Sequence, residues 1–168
     1  MPTYGNPLEQ LAAKVGETLR DRKWLLVTAE SCTGGWVSEA VTSIAGSSAW
    51  FDRGFVSYSN QAKQDMLGVK PSTLTQYGAV SEQAAIEMAI GALEHSSAQI
   101  AVAVTGIAGP EGGSVEKPVG TVWIAWAGED FLVKTHGYHF QGDRYSVRLQ
   151  STQNALEGLL DLCAPRQL

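Results

Sequence analysis

Residues 24–35 read WLLVTAESCTGG. The first six are an apolar run too short for a stable helix and flanked by polar residues, which predicts a buried strand over 24–29. The chain then turns polar, passes two glycines, and places Val37, Ala40, Val41 and Ile44 at helical spacing ahead of Gly46. That pattern predicts a helix over 31–45 that starts at Ser31 and stops at Gly46. A buried strand feeding a helix through a polar, glycine-bearing turn is the opening of a parallel α/β unit.

Working outward, the same alternation continues. Upstream, Asn6-Pro7-Leu8-Glu9 reads as a helix start, with Asn6 as cap, Pro7 at the first helical position and Glu9 closing a capping box. Downstream, 50–58 (WFDRGFVSY) predicts a second strand bent near Gly54. Ser59 or Asn60 caps a short helix to Leu67, stopped by Gly68, and 69–80 reads as a connector. Ser81 opens another helix, 100–104 is a third strand, and 105–118 is a glycine-rich loop. Residues 119–127 and 131–140 form a hairpin around Gly128-Glu129-Asp130, and a last helix starts at Asp143. This order predicts an α/β fold: one domain over 1–168, a three-layer α/β/α sandwich on a mixed, mostly parallel five-stranded sheet.

The chain has 168 residues, 44% of them hydrophobic and 17% charged, a profile that supports one well-packed core. Its formal net charge of −5 argues against nucleic-acid or acidic-membrane partners, which need a basic surface. No apolar run approaches a membrane span, and residues 1–6 carry no basic region or apolar signal core. Two cysteines, Cys32 and Cys163, build neither a disulfide scaffold nor a zinc site. The expectation is a cytoplasmic protein with a small-molecule partner and no nucleic-acid or membrane partner; a homo-oligomer is compatible with the sequence.

Ligands of open parallel sheets bind beyond the carboxyl ends of the strands. Four segments should meet there: 30–35, 58–63, 105–109 and 141–144. Ser31 reads equally as a helix cap or as a nucleophile served by helix N–H groups. Lys63 is a candidate base if burial lowers its pKa, although spacing alone favours a solvated helix lysine. Tyr58 is placed to hydrogen-bond either, against the leading reading of a half-buried strand-end tyrosine. Cys32 is a rival nucleophile that no histidine is placed to assist. Glu30 reads as an acid or base, or as a hydrogen-bonded helix-start residue. The glycine-rich loop suits a phosphate or carboxamide, and Arg144 suits a phosphate clamp or a surface ion pair. His136 and His139 fall on opposite strand faces, and no cluster has metal-ligand spacing, so no metal or cofactor is expected. Walker A, G-x-G-x-x-G and G-x-S-x-G motifs are absent. The residues alone thus reach a small-molecule site with a Ser/Lys hydrolase option and no substrate.

The segments TAESCTGGWV (28–37), IAGSSAWFDRGFVSYSNQAK (44–63), GAVSE (78–82), TGIAGPEGGSVEKPVGTVW (105–123) and GDR (142–144) closely resemble the CinA C-terminal domain family. The resemblance runs over about 6–162 and rests on long, idiosyncratic motifs. Stand-alone members of that family hydrolyse the carboxamide of nicotinamide mononucleotide to nicotinate mononucleotide and ammonia, a step in pyridine nucleotide salvage. The resemblance implies a metal-free serine amidohydrolase with Ser31 as nucleophile, Lys63 as general base and Tyr58 steering the proton. The substrate-binding candidates are Thr33, Gly34, Gly35, Thr105, Gly106, Gly109 and Arg144. Longer members carry an N-terminal pyrophosphatase domain, which this chain is not expected to include. Two rival readings remain: a non-catalytic nucleotide-binding regulatory module of the competence/damage response, and an amidase for another carboxamide.

Overall fold

The computed structural model describes residues 4–129 and 131–164; Asp130 of the expected turn lies outside them. The elements run α1 (Pro7–Arg22), β1 (Leu26–Glu30), α2 (Trp36–Thr42), β2 (Phe51–Val56), α3 (Asn60–Leu67), α4 (Pro71–Tyr77), α5 (Glu82–Glu94), β3 (Ile100–Gly106), β4 (Thr121–Gly128), β5 (Phe131–His139) and α6 (Arg144–Cys163). The sheet order is β2-β1-β3-β4-β5. β1 pairs in parallel with β2 and β3, whereas β4 runs antiparallel to both β3 and β5. Only β4 is reversed, so β1, β2, β3 and β5 all point their carboxyl ends at one edge.

Period-two alternation divides the strand side chains between two cores. Leu26, Ile100, Val102, Val104, Val122 and Ile124 face one way and meet Val15 and Leu19 of α1, Val37 and Val41 of α2, and Leu156 and Leu159 of α6. Val27, Ala29, Ala101, Ala103, Ala125 and Ala127 face the other way and meet Met88 and Ala89 of α5, Leu67 of α3 and Leu74 of α4. The alanine-rich face leaves room for α5 to sit close to the sheet. Helices therefore cover both faces, as expected of the sandwich.

Two local expectations are corrected. The helix after β1 does not begin at Ser31: residues 31–35 form a turn, with Gly34 at φ 61° and Gly35 at φ 102°, and α2 spans Trp36–Thr42. The connector 69–80 contains α4, which opens on Pro71 and buries only Thr73 and Leu74. Strand ends otherwise shift by a few residues, as cap geometry allows.

Candidate active site

At the carboxyl edge of the sheet lies a cavity of about 270 Å³, lined by residues of all four convergent segments, among them Ser31, Cys32, Tyr58, Lys63, Thr105, Gly106, Gly109 and Arg144. Ser31 is 8% exposed and follows directly on β1, where its N–H donates to Val104 O at 2.9 Å. Lys63 enters from the first turn of α3. That helix is fixed by Ser59, whose hydroxyl accepts from Ala62 N at 3.0 Å.

Lys63 is 1% exposed, so it is not the solvated helix lysine that spacing alone favoured. Its Nζ lies 2.9 Å from Ser31 Oγ, 2.9 Å from Ser57 O and 3.3 Å from Tyr58 O. No carboxylate is among these partners, and burial lowers its pKa from 10.5 to about 8. A neutral amine has two protons and one lone pair. The two carbonyls accept the protons, which leaves the lone pair to accept from the Ser31 hydroxyl. The contact set therefore suits a neutral lysine as well as a charged one.

Cys32 also lines the cavity, but burial pushes its thiol up to about 12, so little thiolate forms near neutrality. Glu30 is fully buried and accepts four hydrogen bonds, from Thr33 Oγ1, Val37 N, Ser38 N and Ser38 Oγ. With its oxygens saturated by donors, it is the hydrogen-bonded helix-start residue rather than a free base. None of the three histidines lines the cavity. Among the described residues, no group of three or more His, Cys, Asp or Glu side chains is arranged to hold a metal.

The contacts of Tyr58 differ from the expectation. Its side chain is 63% exposed, and its hydroxyl accepts from Arg144 Nη2 at 3.3 Å. No hydrogen bond among the described residues joins that hydroxyl to Ser31 or Lys63; the Tyr58 backbone carbonyl makes the Lys63 contact instead. The physical reason is reach: Tyr58 follows the end of β2 and turns outward toward α6. Arg144 also donates to Gly109 O at 2.8 Å, so it ties the glycine-rich loop to the cavity wall. Thr105 is buried and donates to Ala79 O at 2.8 Å.

Thr33, Gly34 and Gly35 sit elsewhere. The Thr33 hydroxyl is committed to Glu30, Gly34 faces Arg148, and Gly35 faces Val56; none of the three lines the cavity. Of the other polar lining residues, Asn60 belongs to the segment 58–63 expected at this edge but was given no role, and Glu111 was not singled out. Asn60 stands within the quoted SNQAK segment and Glu111 within the glycine-rich loop, so position was available as a signal but role was not. Reasoning from sequence missed Arg148, one helical turn after Arg144 on the same face of α6.

The CinA C-terminal domain matches residues 8–163, nearly the whole of the described chain. This chain belongs to the CinA C-terminal domain family. Within the family, nicotinamide-nucleotide amidohydrolase PncC of Escherichia coli strain K12 is 57% identical over 152 residues, 90% of this chain and 92% of that protein. The protein of the same name from Pseudomonas putida is 50% identical over 157 residues, 94% of this chain and 98% of that one. The crystal structure of competence/damage inducible protein CihA from Agrobacterium tumefaciens superposes with a TM-score of 0.93 at 48% identity, covering 98% of this chain and 100% of that one. The CinA fold is thus shared in full. Among the described residues of this member, no helix is long and apolar enough to cross a membrane.

Proposed function

We propose that this protein hydrolyses the carboxamide of nicotinamide mononucleotide to nicotinate mononucleotide and ammonia, a salvage step in the cytoplasm, by a Ser/Lys mechanism. The observation that carries the reading is the buried lysine 2.9 Å from a serine hydroxyl at the cavity floor. The names of the close relatives support the substrate.

The chemistry follows from the contacts. Neutral Lys63 accepts the Ser31 proton as Oγ attacks the carboxamide carbon. The oxyanion is met first by the backbone N–H of Cys32, the lining residue that follows Ser31. Among the described residues, the Cys32 and Thr33 N–H groups donate to no carbonyl, whereas Gly34 N is used by Ser31 O at 3.0 Å. Lys63 then passes its proton to the leaving nitrogen, ammonia departs, and Ser31 remains acylated. Water attacks the ester and gives a proton to Lys63. The acid leaves, and the proton returns to Ser31. In this reading Arg144, which lines the cavity and donates to the Tyr58 hydroxyl, pairs with the phosphate.

The test is direct. Purified protein with nicotinamide mononucleotide should yield ammonia and nicotinate mononucleotide in equal amounts. Binding without turnover would replace the reading with the regulatory module. Turnover of another carboxamide alone would replace the substrate.

A further inference from the structure

The turn that carries Ser31 is held by two charged side chains that the mechanism above leaves idle, and neither lines the cavity. From beneath, the buried Glu30 carboxylate accepts from Val37 N at 2.8 Å and Ser38 N at 3.0 Å, the first free N–H groups of α2. Gly35 caps that helix with no side chain of its own, so Glu30 supplies the missing cap and meets the positive end of the helix dipole. From α6, Arg148 Nε donates to Cys32 O and Nη2 to Thr33 O, both at 3.0 Å. The guanidinium also lies 5.4 Å from the centre of the Trp36 ring, which packs on Tyr145 at 5.3 Å. Arg148 is therefore held in place before any substrate arrives.

A trans peptide carries its C=O and N–H on opposite sides. Drawing the Cys32 carbonyl toward Arg148 aims the Thr33 N–H the other way. The same constraint on the Thr33 carbonyl sets the Gly34 N–H, which donates to Ser31 O at 3.0 Å. A cation on a carbonyl oxygen also polarises the peptide and makes its N–H a stronger donor.

We propose that Arg148, working against the Glu30-anchored start of α2, is a positioning residue: it fixes the peptide planes after Ser31 and so the donors offered to the oxyanion. The inference rests on the amidohydrolase reading. Those donors matter most when negative charge develops, so losing Arg148 should lower kcat and spare KM.

Arg148→Met keeps an apolar stem against Trp36 and removes both donors; Arg148→Lys keeps the charge without the planar fork. On nicotinamide mononucleotide, Arg148→Met should lose about 10- to 100-fold in kcat, less than the roughly 10²–10³-fold that removing an oxyanion donor outright costs. KM and the midpoint of the pH profile should stay at wild-type values, with Arg148→Lys intermediate in kcat. By amide hydrogen exchange, the Gly34 N–H should exchange faster in Arg148→Met while β1 and β3 keep their protection. Normal kcat in the folded variant, a loss that appears in KM instead, or unchanged Gly34 exchange would each overturn the proposal. A wild-type protein inactive on the mononucleotide would remove the functional reading alone, and the exchange measurement would still decide the role of Arg148.

Discussion

A lysine with 1% of its surface exposed and three oxygen neighbours, none of them a carboxylate, is held where its charge is costly and its lone pair is useful. With a pKa lowered to about 8, about a tenth of it is neutral at pH 7. Activity should therefore rise with pH and level off above about 8. Lys63→Arg retains the positive charge but cannot act as a neutral base. Across pH 6 to 10 it should lose about 10²–10⁴-fold in kcat/KM, with no recovery at high pH. Near-normal activity in a variant shown by circular dichroism to be folded would send the search for a base elsewhere. The nucleophile is decided by a second pair: Ser31→Ala should be inactive, and Cys32→Ser should keep substantial activity, because the Cys32 thiol is pushed up to about 12. The reverse pattern would exchange their roles. Spacing alone did not single out this pair. Ser31 and Lys63 lie 32 positions apart and meet only through the topology; convergence of strand ends made them candidates, each level with or behind a plainer reading, and the resemblance to family motifs raised them above it.

At the scale of elements, regular hydrophobic spacing marked the strands and the long helices; the caps Asn6 and Ser81 fell where the sequence placed them, Ser59 is the cap of the two candidates for α3, and Asp143, read as the start of the last helix, is its cap. The failures have local causes. Ser31 resembles a cap, but the Glu30 side chain caps α2 five residues further along, and two glycines at positive φ absorb the turn. α4 has seven residues, no side-chain cap and a small apolar face, too little signal for periodicity to register. The close approach of α3 and α5 was also invisible in the sequence, because it depends on a missing side chain. A Cβ on Gly91 of α5 would overlap the backbone carbonyl of Leu67 at the end of α3. Gly91→Ala gains about 1 kcal/mol in helix propensity. A backbone carbonyl cannot swing aside as a side chain can, so an overpacking cost of roughly 1–3 kcal/mol should win. Because α3 carries Lys63, the variant should show both a Tm lower by several degrees and reduced activity. An unchanged Tm would mean that the two helices separate freely.

For the whole molecule, the site and the stability are linked through one proton. The convergence of four segments on one edge was legible, because strand order along the chain and the single reversed strand leave few arrangements. The depth of Lys63 was not, since burial is a property of the assembled layers. That burial carries a thermodynamic signature. In the unfolded chain Lys63 titrates near 10.5, and in the folded protein at about 8. Below pH 8 both states hold the proton, and folding bears the full cost of burying the charge. Between pH 8 and 10.5 the folded state has released the proton while the unfolded state still binds it, so stability from this group rises with pH. The gain saturates above 10.5 at up to about 3 kcal/mol. Lys63→Met removes the titration and leaves the other ionisable groups in place. Urea midpoints measured at pH 7 and pH 10 should show the wild type gaining on Lys63→Met as pH rises, with the gain setting in at about pH 8, where kcat/KM levels off. Parallel behaviour of the two proteins would show that Lys63 titrates as an exposed lysine, and would remove the physical basis for its action as a base.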